Sequence, residues 1–556
     1  MPMLTNRGSV VVASDLRRTS LRFCAALGLL TAAACGSQQA ALPPDLDALL
    51  DGLSSAARVD YTAEKDGGLA HSTYFSIKVG SAEHSALPKS EQEKLVKVQS
   101  GVLHSQKLPP TDLIAGTEIT GTLLVKDSEG ERKQEVVLKV PAQWNGQLVV
   151  VGTPGTRTEF ASDGVFAGWI LRRGFAYVSG NKGMTNGGAD GNASLLRKQH
   201  ATQHWGTMML DLGVWARDRL SAAMHKPPSR IYAVGLSNGG YQVRRALEID
   251  HVRVEKGAER IFAGGIDWAG VYWPDSRVLD TDKDRQVSPA EFAQGRQLVS
   301  SMERAALAMG FPYDMGAKTT PESYGETPPF STVTSQLVAA GFHPSSAILW
   351  GAYNMLFDSL KALAPVWRGV GYYNLTAYYY RADLLGHDEK ESASYAMWSL
   401  SPSGHPAFYD YLATVPNGGW TTDSVSWALR NANTGQFSVP LLSLHGDRDA
   451  LIGLSGNGEA YDAAVRAVGR ADLHRLYVIA NGNHVDAHAD GLLDYNCNGK
   501  AGDEGAAELL TPMQPYVEHA FDLLSAWVEQ GKVAPPSRLV STDPKNDLLD
   551  AKKVVF

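Results

Sequence analysis

Ile231-Tyr232-Ala233-Val234-Gly235-Leu236-Ser237-Asn238-Gly239-Gly240-Tyr241 is the stretch that decides how this chain folds. The apolar run Ile231 to Val234 reads as a short buried strand, and Tyr241 to Leu247 reads as the start of a helix. Between them, Gly235-Leu236-Ser237-Asn238-Gly239 has the spacing G-x-S-x-G. A sharp strand-to-helix turn is strained and brings two backbones close together, so it needs small residues on both sides of the serine. Such a turn lifts the hydroxyl out of the sheet towards the helix N-terminus, where developing negative charge is stabilised. With 55 glycines in the chain the pentapeptide alone carries little weight. Its place between a strand and a helix carries more.

Outward from this elbow, strand and helix alternate. Upstream, Ile119 to Val125, Glu135 to Val140 and Gln147 to Val151 are β-rich runs separated by Asp, Gly and Pro. A helical stretch at Phe166 to Arg173, a strand at Phe175 to Ser179 and a long amphipathic stretch from His204 to Met224 follow. Downstream, the alternation resumes with Val439 to Leu444, a helix over Glu459 to Val468, a strand at Leu476 to Ile479 and a helix from Met513 to Gln530. Alternation of this kind predicts an α/β fold with a mostly parallel central sheet. The block from about Trp273 to Phe437 breaks the pattern and reads as a large inserted cap. The expected organisation is an export segment over 1–35, a tether and N-terminal extension over 36–113, a first core part over 114–272, a cap or lid over 273–437 and a second core part over 438–556.

A serine on such an elbow needs an acid and then a histidine, each just beyond a later strand. Val439 to Leu444 leads into His445-Gly446-Asp447-Arg448-Asp449, and Leu476 to Ile479 leads into Asn481-Gly482-Asn483-His484. Asp449 is preferred to Asp447 because it lies further past the strand, where the loop can turn towards the histidine. His484 is preferred to His488, which lies deeper in its loop. Ser237, Asp449 and His484 are thus the candidate catalytic triad, with chemistry by nucleophilic acyl transfer. Taken singly, Asp449 could be a turn-forming carboxylate and His484 a surface histidine; their order after strands argues for the triad. For the oxyanion, the candidate donors are the N–H of Asn238 and those of Gly155 and Thr156 in Gly152-Thr153-Pro154-Gly155-Thr156.

Composition narrows the class further. The chain has 556 residues, 44% hydrophobic and 20% charged, enough to bury a large core around one catalytic domain with an insertion. A net charge of −8 and the lack of a basic run interleaved with aromatics argue against nucleic acid as a partner. Arg17, Arg18 and Arg22 precede the apolar stretch Phe23 to Leu30 and the small residues Ala32, Ala33 and Ala34, an export signal. Cys35-Gly36-Ser37 after them has the form of a lipobox, with Ala32 where Leu is usual, so Cys35 is the expected lipid attachment point. Of the three cysteines, Cys24 lies in the signal and Cys35 would be acylated, which leaves Cys497 unpaired. The fold should depend on packing and not on disulfides. The expected location is the cell envelope or outside it.

These segments resemble a known family. Gln134-Glu135-Val136-Val137-Leu138-Lys139-Val140-Pro141-Ala142, Arg172-Arg173-Gly174-Phe175-Ala176-Tyr177 with Lys182-Gly183, Ser237-Asn238-Gly239-Gly240, His445-Gly446 with Asp449, His484-Val485-Asp486-Ala487 and Ala534-Pro535-Pro536-Ser537 look like the bacterial D-(−)-3-hydroxybutyrate oligomer hydrolases. The resemblance extends more distantly to the tannase and feruloyl esterase group. It implies an α/β-hydrolase fold, carboxylic ester hydrolysis with a small or oligomeric ester as substrate, and the triad Ser237, Asp449, His484. It does not extend to the cap, where specificity would reside.

The cap is rich in aromatics such as Tyr378, Tyr379, Trp367 and Trp398, which read more readily as core than as an acyl pocket. Asp280, Asp282, Asp284, Gln286, Ser288 and Glu291 follow the spacing of an EF-hand calcium loop, with Arg285 where Gly is usual. Asp494, Asn496, Asn498 and Gly499 begin a second, incomplete one. Structural Ca²⁺ is the expected ion; no cofactor is expected for catalysis, and no protein partner. Two other functions fit the same residues: a peptidase or amidase using the same triad, and a non-catalytic surface lipoprotein that binds through the hydrolase fold.

Overall fold

Alternate residues of the short central strands face two different apolar cores. The computed structural model describes residues 44–62, 68–99, 103–108, 113–127, 130–155, 157–183, 204–272, 433–449, 454–490, 510–546 and 548–556. Among these, one sheet holds β1 (Leu53–Tyr61), β2 (Gly116–Asp127), β3 (Gly130–Pro141), β4 (Leu148–Gly152), β5 (Ala176–Gly180), β6 (Ile231–Leu236), β7 (Gly264–Trp268), β8 (Leu441–Gly446), β9 (His474–Ile479) and β10 (Arg538–Val540). Their order is β1-β2-β3-β5-β4-β6-β7-β8-β9-β10. β1, β2, β3 and β5 pair antiparallel in succession, and every pair from β5 to β10 is parallel.

Val149 and Val151 of β4 and Tyr232 and Val234 of β6 join one core with Trp169, Phe521 and Leu524. Leu148 and Val150, with Ile231 and Ala233, join the other with Met209, Leu212, Val243 and Leu247. The period of two in a strand makes this division, and a parallel sheet covered on both faces makes each central strand apolar throughout. The covering helices are α3 (Gly168–Arg172) and α7 (Gln514–Gln530) on the first face, and α4 (Trp205–Met224), α5 (Asn238–Glu255) and α6 (Ala460–Ala467) on the second. The helix expected over Phe166 to Arg173 is a π-helical turn, Asp163–Ala167, running straight into α3. α7 stops at Gly531, whose φ of +69° suits a helix C-terminus that only glycine enters without strain.

The N-terminal extension joins the sheet. Leu53–Tyr61 is an edge strand paired with β2, with a register shift between Ser54 and Ala57. Its polar face and edge position hide the alternation that marks the inner strands. Helices α1 (Ala82–Ala86) and α2 (Lys89–Val98) follow it, and Leu95 and Val98 enter the first core. A buried charge cluster ties this region to the sheet. His71 Nε2 lies 2.8 Å from Glu118 Oε2 of β2, and its Nδ1 lies 3.0 Å from Asp163 Oδ2. Lys139 of β3 reaches Asp163 at 2.5 Å, and Lys94 of α2 reaches Glu118 at 3.0 Å.

Of the block expected as a cap, 273–437, only 433–437 are among the described residues, with Phe437 packed in the second core. Cys35, Asp280, Asp282, Asp284, Gln286, Glu291 and the second Asp-rich loop lie outside them.

Candidate active site

Ser237 follows β6 and precedes α5 with φ 61° and ψ −121°, a conformation that a residue with a side chain enters at a cost of about 1–3 kcal/mol. Three glycines make the turn sterically feasible. A Cβ on Gly235 would lie 2.2 Å from the Gly239 carbonyl oxygen, and one on Gly239 would lie 2.2 Å from that of Gly152. β4, the elbow and the first turn of α5 are therefore in backbone contact, as the G-x-S-x-G spacing requires. The Ser237 N–H donates to Trp268 O at 2.9 Å, and Ser237 O accepts from Tyr241 N–H at 3.0 Å and Val271 N–H at 3.2 Å. The strand β6 holds the serine at the C-terminal edge of the parallel sheet, and only 6% of the residue is exposed.

β8 and β9 bring two more groups to that edge. A Cβ on Gly446, the last residue of β8, would lie 2.1 Å from Gly482 O, and Arg448 N–H donates to the same oxygen at 3.0 Å. The loops after β8 and β9 are thereby laced together. Asp449 Oδ2 lies 2.8 Å from His484 Nδ1, both side chains being buried. The carboxylate can only accept, so Nδ1 carries the proton in that bond and Nε2 of the neutral ring is left as an acceptor. His445 Nε2 lies 3.3 Å from the same oxygen. Burial alone would raise the Asp449 carboxyl; the two imidazoles outweigh it and hold it well below the usual carboxylate range.

Asp447, the alternative acid, is engaged elsewhere. It accepts the N–H of Asn481 at 2.7 Å, and burial raises its carboxyl against that hydrogen bond. His488 lies in the short 3₁₀ helix Asp486–Asp490, and Asp486 accepts the N–H groups of Met513 (2.6 Å) and Gln514 (2.8 Å) at the start of α7. The loop of His484 is thus clamped, two residues on at Asp486, to a helix N-terminus.

Of the oxyanion candidates, Asn238 is the first residue of α5 and Gly155 sits at φ +48°. Thr156 lies outside the described residues. One neighbour of this loop was missed in the sequence. Lys182, fully buried and at φ +60°, donates to both the carbonyl oxygen and Oγ1 of Thr153, each at 2.6 Å. Its ammonium stands 5.1 Å from the Trp205 ring centroid, and burial, with Arg157 adding to it, pushes the amine well below the usual lysine range. The local sequence Asn181-Lys182-Gly183 carries no sign of this, because Thr153 is reached only through the pairing of β4 with β5.

With the topology and the elbow in place, the architecture is clear. The fold is an α/β-hydrolase. No family model and no curated protein matches the sequence. Among solved structures the chain is similar to a tannin acyl hydrolase from Aspergillus niger (12% identity, 88% of this chain and 87% of that one, TM-score 0.40). It is also similar to feruloyl esterase B from Aspergillus oryzae (13%, 78% and 86%, 0.39) and to the rice cell wall degrading esterase LipA from Xanthomonas oryzae (12%, 80% and 95%, 0.38).

Proposed function

We propose that this chain is an exported serine hydrolase that cleaves carboxylic esters through an acyl-enzyme. The observation that carries the reading is the strained Ser237 elbow with the buried His484–Asp449 pair on the same edge of the sheet. Ser237 Oγ attacks the ester carbonyl carbon while His484 Nε2 takes its proton, and Asp449 holds the imidazole in the tautomer that leaves Nε2 free. The oxyanion of the tetrahedral intermediate is met by Asn238 N–H and a donor from Gly155 or Thr156. His484 returns the proton to the departing alcohol oxygen as the C–O bond breaks. Water then attacks the acyl-enzyme by the same route and frees Ser237.

The family resemblance of the sequence segments favours esters over amides and points to hydroxyalkanoate oligomers or related esters. The same triad would serve a peptidase, and a catalytically silent surface protein would keep the fold without turnover. A fluorophosphonate probe followed by peptide mapping, then a panel of p-nitrophenyl esters, hydroxybutyrate oligomers, gallate and feruloyl esters and peptide amides, separates these. Labelling at Ser237 with ester turnover lost in Ser237→Ala supports the proposal; turnover that survives this substitution ends it.

Export and lipid attachment at Cys35 rest on the N-terminal pattern, and are tested by detergent-phase partition of the native chain against Cys35→Ala. Structural Ca²⁺ in the loop Asp280 to Glu291 is tested by a calcium-dependent rise in Tm that Asp282→Ala abolishes.

A further inference from the structure

Behind the candidate triad lies a second chain of serine, histidine and aspartate, and its direction can be worked out from its protons. Asp267, fully buried near the end of β7, accepts from Arg244 Nη2 at 2.8 Å, from Gly270 N–H at 3.2 Å and from the Ser443 hydroxyl. Ser443 has one proton, and a carboxylate paired with a guanidinium can only accept it. The Ser443 oxygen is then an acceptor towards His474 Nε2, 2.8 Å away, which must carry a hydrogen. His474 Nδ1 lies 2.9 Å from Asp462 Oδ1, another acceptor, so both ring nitrogens are donors. The chain ends at Arg466, whose Nε lies 2.7 Å from Asp462 Oδ2. Ser443 is 1% exposed with its proton committed inward, so it is not a second nucleophile.

The end of this chain reaches both segments that flank Ser237. Arg244 belongs to α5, the helix that Ser237 heads, and stacks 4.2 Å from the Tyr461 ring centroid. Gly270 belongs to the turn after β7, in which Trp268 O accepts the Ser237 N–H and Val271 N–H donates to Ser237 O. That turn is tight. Ala269 has φ +46°, a Cβ on Gly240 would lie 2.5 Å from Gly270 Cα, and a Cβ on Gly270 would lie 2.7 Å from Asp267 Oδ1. A strained nucleophile backbone keeps its shape only if its surroundings over-determine it, and a displacement of about 1 Å can cost about a hundredfold in rate.

We infer that Asp267 is a positioning residue for Ser237, held in place by the buried relay Ser443–His474–Asp462 and acting through Gly270 and Arg244. The inference rests on Ser237 being the nucleophile. Its test uses the full chain, a fluorophosphonate and p-nitrophenyl acetate. Ser443→Ala removes one hydroxyl and leaves the Arg244–Asp267 pair intact. It should lower kcat and the rate of fluorophosphonate labelling together, by about tenfold, with KM within about twofold, while Ser443→Thr, which keeps the hydroxyl, restores most of the loss. Asp267→Asn should lower both further. If folded Ser443→Ala, checked by circular dichroism and Tm, labels and turns over at the wild-type rate, the relay is only a stabilising core cluster and the inference is overturned. A wild-type chain that is not labelled at Ser237 would instead overturn the hydrolase reading itself.

Discussion

His484 Nδ1 sits 2.8 Å from Asp449 Oδ2, with 3% and 0% of the two side chains exposed. A pair so dry does more than orient a ring: it fixes the tautomer. Asp449→Asn presents an amide that can donate to Nδ1 and move the imidazole proton to Nε2, the position that must accept. The expected result is a fall in kcat of about 10³–10⁴-fold with KM little changed, measured on a p-nitrophenyl ester. Asp447→Asn, whose carboxylate caps Asn481 instead, should leave kcat within a few-fold.

Gly239 offers a purely steric test of the elbow. A methyl group there would sit 2.2 Å from a backbone oxygen of β4, which no side-chain rotation relieves. Gly239→Ala should lose most labelling at Ser237 and destabilise the fold by about 1–3 kcal/mol, read from the urea midpoint. Gly257→Ala, with open space around the new carbon but φ +87°, should show only a modest loss of stability and normal labelling.

Lys182 separates activity from stability. Replacing a buried amine that donates to Thr153 by Lys182→Met removes a polar group from the core while leaving the Thr153 carbonyl unpinned. The expected outcome is a Tm that holds or rises with kcat reduced about tenfold, because the loop carrying Gly155 loses its brace. Equal losses of Tm and activity would show instead that Lys182 serves the fold alone.

The cluster of His71, Glu118, Lys139 and Asp163 predicts how stability depends on acid. Burial would raise the Glu118 carboxyl, but His71, Lys139 and Lys94 outweigh it and hold it well below the usual range. A carboxyl lowered on folding contributes stability that is complete above its unfolded value, about 4.3, and is lost as pH falls from there towards the lower folded value. Tm should therefore drop between about pH 5 and pH 3. Glu118→Gln should flatten that slope and cost about 3–5 kcal/mol at neutral pH, since it removes one of the two buried carboxylates, Glu118 and Asp163, that hold this cluster together.

Much of the site was legible because its parts are local. Each of Ser237, Asp449 and His484 follows an apolar run that forms a central strand, and each turn carries its glycine on the spot: Gly235 and Gly239, Gly446, Gly482. β1 was not legible, since Ser54, Ser55, Arg58 and Asp60 make an edge strand whose pairing with β2 depends on residues some sixty positions away. Lys182, Asp267, Ser443 and His474 were not legible either. Read singly they are an ordinary lysine, aspartate, serine and histidine at strand ends or within strands.

The sequence by itself determined the order of strands and helices, the strained serine elbow and the succession of acid and histidine behind it. These follow from side-chain periodicity and glycine placement, which act over a few residues. Only the tertiary structure decided that Asp449 and not Asp447 meets His484, that the N-terminal region enters the sheet, and that Asp267 and Lys182 hydrogen-bond to the turns after β7 and β4. Those outcomes depend on which strand lies beside which, and a buried charge takes its meaning from partners that the chain reaches only after the sheet has formed.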